Sequence, residues 1–65
     1  MKTVVGQTYN CCSNAADFKH WGYATRRPDG RYNFQSDATD EIRVLKPCQI
    51  KIVGVATWRT PIEAD

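Results

Sequence analysis

Residues 21–35 carry the strongest local signal in the sequence, which is that of a β-hairpin. Large residues alternate with small ones before the turn, and aromatic residues alternate with polar ones after it. Pro28 presets the backbone angle of the second turn position, Asp29 suits the third, and Gly30 can take the positive φ that follows. The alternation predicts that four aromatic residues share one face of the hairpin, which is either core or contact surface: Trp21, Tyr23, Tyr32 and Phe34.

Three further segments have the composition of strands. Residues 2–9 are rich in β-branched side chains, and Gly6 within them marks a bulge or a close backbone approach. Residues 41–45 alternate and end before a proline, which has no amide hydrogen to donate to a neighbouring strand. Residues 48–59 predict a long last strand, and Gly54 predicts a bulge or sharp bend within it.

A short early helix is predicted over about residues 13–20. Ser13 or Asn14 can cap it, and Ala15 and Phe18 would share its inner face. A helix of about two turns is unstable alone, so the packing of Phe18 would have to hold it in place. With the five strands, this predicts a mainly β protein, a small antiparallel SH3-like or OB-like barrel that is partly open. A helix packed across a curved meander is the alternative architecture.

The length of 65 residues limits the chain to one domain. We expect this domain over residues 1–60 and an acidic C-terminal tail over residues 61–65, where Glu63 and Asp65 follow Pro61. A domain of this size buries only about 60% of the surface of its unfolded chain, which leaves one layer of core side chains. A deep catalytic cleft needs walls on several sides, so the size favours a binding module over an enzyme.

Hydrophobic residues make up 42% of the chain and charged residues 25%, a composition that disfavours a disordered chain. The longest apolar run, residues 52–56, is far shorter than the ~20 residues of a membrane-spanning helix. The first residues lack the apolar region of a signal peptide. The three cysteines are an odd number, so we expect reduced thiols in the cytoplasm, with Cys48 as a small core residue.

The chain has four potential zinc ligands, which is the number that a structural zinc ion takes: Cys11, Cys12, Cys48 and His20. Their spacing is poor, because zinc sites favour ligand pairs separated by about two to four residues, whereas Cys11 and Cys12 are adjacent. We therefore expect no metal site and no cofactor.

Catalytic chemistry has only weak support in the sequence. A thiol beside an imidazole can be an activated nucleophile, and Cys11 and Cys12 lie shortly before His20. The chain has no recognisable nucleophile elbow or phosphate-cradling glycine loop. Three carboxylates lie in a polar turn, where solvated charge is the ordinary explanation: Asp37, Asp40 and Glu41. We therefore expect no catalytic residue.

The hairpin tip is basic, since Arg26, Arg27 and Arg31 surround the turn. Aromatic faces stack on unpaired bases and arginines neutralise phosphates, so the hairpin is a candidate for binding single-stranded RNA or DNA. The net charge of +2 neither requires nor excludes this function. Because a short chain can hardly leave all the hairpin aromatics outside its core, nucleic-acid binding is the alternative function.

A protein partner is the leading expectation, with no membrane contact. The residue types that anchor protein interfaces predict these partner-binding residues: Arg26, Arg27, Arg31, Trp58 and Tyr23. The edge of the long last strand could also pair with a second copy and give a homodimer. The small size suits a regulator or inhibitor of a host protein, of the kind that a phage or mobile element would encode.

Overall fold

The computed structural model of the chain describes residues 3–15 and 18–63, and its five strands form one antiparallel sheet. The strands are β1 (Thr8–Ser13), β2 (Trp21–Arg26), β3 (Tyr32–Ser36), β4 (Ile42–Leu45) and β5 (Ile50–Val55), with a 3-10 helix at Pro47–Gln49. Their order across the sheet is β4-β3-β2-β1-β5, so β1 to β4 form a meander and β5 returns beside β1. The predicted mainly β class with five antiparallel strands is confirmed. Within the described residues, no helix has the length and apolar character needed to cross a membrane.

The predicted hairpin is confirmed, and its turn chemistry explains how it closes. The amide of Arg27 donates to the carbonyl of Arg31 at 2.8 Å, and the amide of Gly30 donates to the carbonyl of Arg27 at 3.2 Å. Gly30 has a φ of 96°, a conformation that residues with a Cβ rarely adopt. The carboxylate of Asp29 accepts a hydrogen bond from the amide of Arg31 at 2.9 Å. The turn residues therefore satisfy their own backbone groups.

The length of the hairpin loop decides which side chains face the core. Arg26 lies opposite Tyr32, and the odd number of residues between them, 27–31, forms the loop. Odd-numbered residues of β2 therefore pair with odd-numbered residues of β3, as Tyr23 does with Gln35. Paired residues point to the same face of a sheet, so odd- and even-numbered residues of the hairpin lie on opposite faces.

The four hairpin aromatics are consequently divided between the two faces. Tyr32 and Phe34 are buried on the inner face, whereas Trp21 and Tyr23 lie on the outer face. The prediction that all four share one face is wrong, because the alternation within each strand does not determine whether the loop is odd or even.

The inner face of the sheet forms the core. Phe34 is completely buried, and its ring meets the ring of Phe18 edge to face with centroids 5.9 Å apart. Gly22 allows β2 and β3 to approach closely, since a Cβ atom there would lie 2.1 Å from the carbonyl oxygen of Gln35. The other buried members of the core cluster are Tyr9, Cys11, Ala15, Ala24, Tyr32, Leu45 and Ile50.

The helix predicted over about residues 13–20 is wrong for the described residues, and Ala16 and Asp17 lie outside them. β1 continues to Ser13, and Ala15 forms an isolated antiparallel bridge with Phe18. The Ser13 hydroxyl donates to the carbonyl of Phe18 at 2.6 Å and accepts from the amide of His20 at 2.9 Å. These bonds use the backbone carbonyl of Phe18 and the backbone amide of His20, which a helix would pair within itself. A helix of two turns is only marginally stable, so sheet pairing prevails over helix propensity.

The first strand begins later than predicted. The composition of residues 2–9 predicts an extended strand, but the amide of Gln7 donates to the carbonyl of Val4 at 3.1 Å in a turn where Gly6 has a φ of 85°. Gly6 therefore serves a turn and not a bulge, and Lys2 lies outside the described residues. β1 starts at Thr8.

The last strand contains the irregularity predicted at Gly54. Asn10 pairs with Gly54 and Cys11 with Ile52, so Val53 is an extra residue on β5. This confirms the predicted bulge. The strand is shorter than predicted because Cys48 belongs to the 3-10 helix, where it is exposed and not part of the core.

Residues 56–63, which we name the C-terminal strap, cross the outer face of the sheet. The amide of Ala56 donates to the carbonyl of Thr8 at 3.0 Å, and the amide of Ile62 donates to the hydroxyl of Thr25 at 2.8 Å. The side-chain amide of Asn33 donates to the carbonyl of Ile62 at 2.9 Å. Ile62 is only 5% exposed, so the strap is packed at this residue. A tail beginning at residue 61 stays a prediction, and Ala64 and Asp65 lie outside the described residues.

Candidate interaction surface

Arg26, which is predicted to belong to the basic hairpin tip, lies on the inner side of the sheet. Arg26 pairs in register with the buried Tyr32, and its guanidinium carbon lies 5.8 Å from the centre of that ring. Its Nε donates to the hydroxyl of Thr3 at 3.0 Å, and its Nη1 donates to the carbonyl of Arg27. The guanidinium is therefore engaged within the chain.

The charges of the other two tip arginines are partly neutralised by Asp29. Arg27 forms an ion pair with Asp29 at 3.1 Å and donates to the side-chain carbonyl of Asn33 at 2.9 Å. Arg31 lies 3.8 Å from the same carboxylate, and its side chain is more than half exposed. The backbone amide of Arg31 and the side chain of Arg27 lower the pKa of Asp29. The carboxylate thus stays ionised and reduces the positive charge that the tip presents.

Tyr23 and Trp58, both predicted as contact residues, come together on the outer face. Their rings are 5.1 Å apart and nearly perpendicular, at 83°. Arg59 lies over the Tyr23 ring with its guanidinium carbon 5.3 Å from the ring centre, and it donates to the side-chain oxygen of Gln35 at 2.7 Å. Trp58 is 70% exposed. We name Tyr23, Trp58 and Arg59 the aromatic cluster.

Further apolar side chains extend the exposed area around the aromatic cluster. Ile42 lies opposite Gln35 and Val44 opposite Asn33, so both face outward from β4. Trp21 precedes Tyr23 by two residues on the same face of β2 and is 60% exposed. These side chains share the outer face with the aromatic cluster, and an exposed apolar patch is a candidate interaction surface.

Sequence reasoning missed Arg59 and the outward direction of Ile42. Arg59 enters the cluster because the strap passes over β2 and β3, and no local pattern indicates that crossing. Ile42 faces outward because Arg43 pairs with the buried Phe34, so the inner position of β4 is taken by the arginine. The guanidinium carbon of Arg43 lies 3.9 Å from the centre of the Phe18 ring, which lets its stem cover the core.

The thiols occupy three different environments. Cys11 is buried, Cys48 is exposed, and Cys12 is half-buried at a surface hollow of about 210 Å³ that Lys19, His20 and Trp21 also line. Among residues 3–15 and 18–63, no three His, Cys, Asp or Glu side chains are grouped so that they could hold a metal ion.

Thiol reactivity should follow these environments. Burial, with a smaller contribution from neighbouring Cys12, raises the pKa of the Cys11 thiol from 9.0 to about 12. We expect a thiol reagent at pH 8 to label Cys48 rapidly, Cys12 more slowly and Cys11 only after unfolding, because the thiolate is the reactive form. Mass spectrometry of partially labelled protein measures this order, and rapid labelling of Cys11 in folded protein would contradict it.

Ionisation of the buried Cys11 thiol should lower the free energy of unfolding at alkaline pH. The unfolded thiol ionises near pH 9 and the folded one near 12, so the unfolded state binds fewer protons and the free energy of unfolding falls as pH rises between them. The Cys11→Ala variant, which lacks the group, should show a shallower fall.

The candidate surface therefore consists of the aromatic cluster and the apolar side chains around it, with the hairpin tip set apart by its internal ion pairs. Comparison of the chain with protein-family profiles, with curated proteins and with solved structures gave no match.

Proposed function

We propose that this protein is a non-catalytic binding module that recognises a protein partner through the aromatic cluster. The observation that supports this proposal is Trp58, which is 70% exposed and yet held edge-on against Tyr23. An exposed tryptophan contributes less to stability than a buried one, whereas on an interface its large ring supplies binding energy. The module acts in the cytoplasm as a regulator or inhibitor of its partner.

The contacts around Trp58 reduce the entropic cost of binding. Arg59 is tied to Gln35 and lies over Tyr23, and Tyr23 supports the indole ring of Trp58. Ordering a side chain on binding costs about 0.5–1.5 kcal/mol, and a side chain that is already ordered avoids much of this cost. The cluster thus has the composition and the preorganisation of an interface hot spot.

Two observations support a partly open SH3-like barrel as the scaffold. The return of β5 beside β1 leaves β4 and β5 as edges, and the chain connects these edges through the single 3-10 turn. Tyr32 of β3 and Ile50 and Ile52 of β5 line one hollow of about 330 Å³ with Pro47, although two strands separate β3 from β5. A sheet that brings such residues together is strongly curled, as a barrel requires.

Nucleic-acid binding through the hairpin has less support. Tyr32 and Phe34 are buried and cannot stack on bases, and Arg26 and Arg27 are engaged within the chain. The ring of Tyr23 already contacts Trp58 and Arg59. The alternative therefore keeps few of the groups on which it depended.

Substituting Trp58 should abolish most of the partner affinity and leave the fold intact. After the partner is identified by affinity capture from lysate with and without nuclease, we expect Trp58→Ala to weaken binding by at least about thirtyfold, or ~2 kcal/mol, in calorimetric titration. The melting temperature should change little, because the side chain is mostly exposed. The matched control is Val53→Ala, which truncates an exposed apolar residue on β5.

Two further measurements distinguish the aromatic cluster from the hairpin tip and a protein partner from nucleic acid. The double variant Arg27→Glu with Arg31→Glu should bind the partner normally if the aromatic cluster is the site, and a loss of affinity would move the site to the hairpin tip. Enrichment that disappears with nuclease, together with an affinity that falls steeply as salt rises, would establish nucleic acid as the partner and refute the proposal.

A further inference from the structure

A hollow of about 330 Å³ lies on the inner face of the sheet, between β3 and β5. We name it the inner hollow, and four residues line it: Tyr32, Pro47, Ile50 and Ile52. Ile52 pairs in register with the buried Cys11, so it points to the inner face, yet it is only half-buried. An apolar cavity of about 150 Å³ binds benzene, so the inner hollow has space for a ligand with several more carbon atoms.

Arg26 places a positive charge beside one wall of the inner hollow. Its guanidinium carbon lies 5.8 Å from the centre of the Tyr32 ring. Its Nε donates to the hydroxyl of Thr3 at 3.0 Å, and that hydroxyl lies 2.6 Å from the hydroxyl of Tyr32. Because Thr3 accepts from Arg26, its own hydrogen can be donated to Tyr32. The Tyr32 hydroxyl is then free to donate its hydrogen to a ligand.

The charge of Arg26 has no carboxylate partner within the described part of the chain. Its hydrogen bonds go to neutral oxygen atoms, and Asp29 of the same hairpin pairs with the two arginines of the turn instead. The acids of the β3–β4 turn lie at the opposite end of β3, and Glu63 lies in the C-terminal strap on the outer face. Lys46, which precedes Pro47, adds a second positive charge. A half-buried guanidinium without a counter-ion favours an anionic ligand.

We propose that the inner hollow binds a small aliphatic carboxylate, with the chemistry of a medium-length fatty acid. The aliphatic chain lies against Ile50, Ile52 and Pro47, where contact removes apolar surface from water. The carboxylate accepts hydrogen bonds from the Arg26 guanidinium and from the Tyr32 hydroxyl. Hydrogen bonds between two charged groups are among the strong ones, so the carboxylate sets the specificity of the site.

The backbone near Arg26 favours a small molecule over the C-terminus of a protein, although both carry a carboxylate. Protein termini are captured by backbone amides that have no other partner. The amides of Arg26, Arg27 and Lys46 each donate to another group of this chain, at 3.1, 2.8 and 2.9 Å. The donors left for a carboxylate are therefore side-chain groups.

This proposal goes beyond the proposed function and rests on different residues. The inner hollow and the aromatic cluster lie on opposite faces of the sheet and share no residue. A failure to bind a carboxylate therefore leaves the protein-partner proposal standing, and the reverse also holds.

Titration of the native chain with sodium octanoate, below its micelle concentration, tests the site. Calorimetry should show one site with a dissociation constant below about 1 mM. Octan-1-ol has the same chain length without the charge and should bind at least about tenfold more weakly. In NMR spectra, octanoate should shift the methyl signals of Ile50 and Ile52 and leave those of the outward-facing Ile42 unchanged.

Variants of Arg26 separate its charge from its packing. Arg26→Gln should remove the preference for octanoate over octan-1-ol, whereas Arg26→Lys, which retains the charge, should keep it. Arg59→Gln makes the first change on the outer face and should alter the affinity for neither compound. The octan-1-ol comparison and the methyl shifts use the native chain, so they decide the proposal even if Arg26→Gln does not fold.

Several results would overturn the proposal. The native chain would contradict it by giving no binding heat and no methyl shift at millimolar octanoate, or by binding octan-1-ol as tightly as octanoate. Methyl shifts at Ile42 in place of Ile50 and Ile52 would put the compound on the outer face. A peptide that ends in leucine with a free carboxylate, and that binds more tightly than octanoate, would assign the inner hollow to a protein terminus.

Discussion

Replacing Phe34 with alanine is expected to unfold most of the protein at room temperature. The ring is completely buried, lies at the centre of the inner face and meets Phe18 edge to face. Removing a buried phenylalanine ring costs about 3–5 kcal/mol, because transfer energy is lost and a cavity remains. A domain of this length has a total stability of roughly 3–10 kcal/mol, so this loss consumes much or all of it.

Circular dichroism during urea titration measures the effect. The native chain should show one cooperative transition, whereas Phe34→Ala should show none or one displaced to very low urea. Val44→Ala is the matched control on the adjacent strand, where a partly exposed side chain faces outward, and it should change stability by no more than about 0.5 kcal/mol. A Phe34→Ala variant as stable as the native chain would show that the inner face is not the core.

Substituting Gly22 with alanine should be the next most damaging change, although it adds only one methyl group. A Cβ atom at this position would lie 2.1 Å from the carbonyl oxygen of Gln35 and 3.0 Å from the ring of Phe34. The first neighbour is backbone and the second is fixed in the core, so β2 and β3 would have to separate. Overpacking typically costs about 1–3 kcal/mol, and we expect a loss at or above the upper end of that range.

Gly54→Ala provides the control for the Gly22 variant. A Cβ atom at Gly54 would meet nothing within 4 Å, and its φ lies outside the left-handed region. Restricting the unfolded chain there should leave stability unchanged or raise it by about 0.4–1 kcal/mol. Equal effects of the two substitutions in urea titration would contradict the close approach of β2 and β3.

The parts of the fold that depend on local chemistry could be predicted from the sequence. The Pro28-Asp29-Gly30 turn defined the hairpin, the alternation of residues 41–45 indicated β4, and Gly54 marked the bulge in β5. In each case the residues that determine the structure are neighbours in sequence. Turn geometry and strand alternation act over a few residues, so a local pattern is sufficient to detect them.

The features that were missed depend on distant contacts. The helix predicted from Ser13 onward is absent from the described residues because Ser13 pairs with Ile50 of β5 and its amide donates to the carbonyl of His20. These contacts outweigh the helix propensity of a short segment. The burial of Ile62 depends on Thr25 and Asn33, which lie about half the chain away. No periodicity within the last ten residues indicates where they dock.

The residue types of the candidate surface could be predicted from the sequence, but their contacts could not, because the contacts join distant parts of the chain. Trp58 and Tyr23 could be selected by residue type, because tryptophan and tyrosine anchor interfaces. Their contact could not be foreseen, since it depends on the path of the strap over β2. Arg26 was assigned to the surface because it stands next to the turn, whereas the register with Tyr32 directs it inward.

The odd length of the loop at residues 27–31 limits how the gene for this chain can diverge. Loss or gain of one codon there would exchange the two faces of β3 relative to β2 and bring Phe34 to the side of Tyr23. Loss or gain of two codons would preserve both faces. Natural variants should therefore tolerate many substitutions in this loop but accept insertions and deletions only in even numbers of codons.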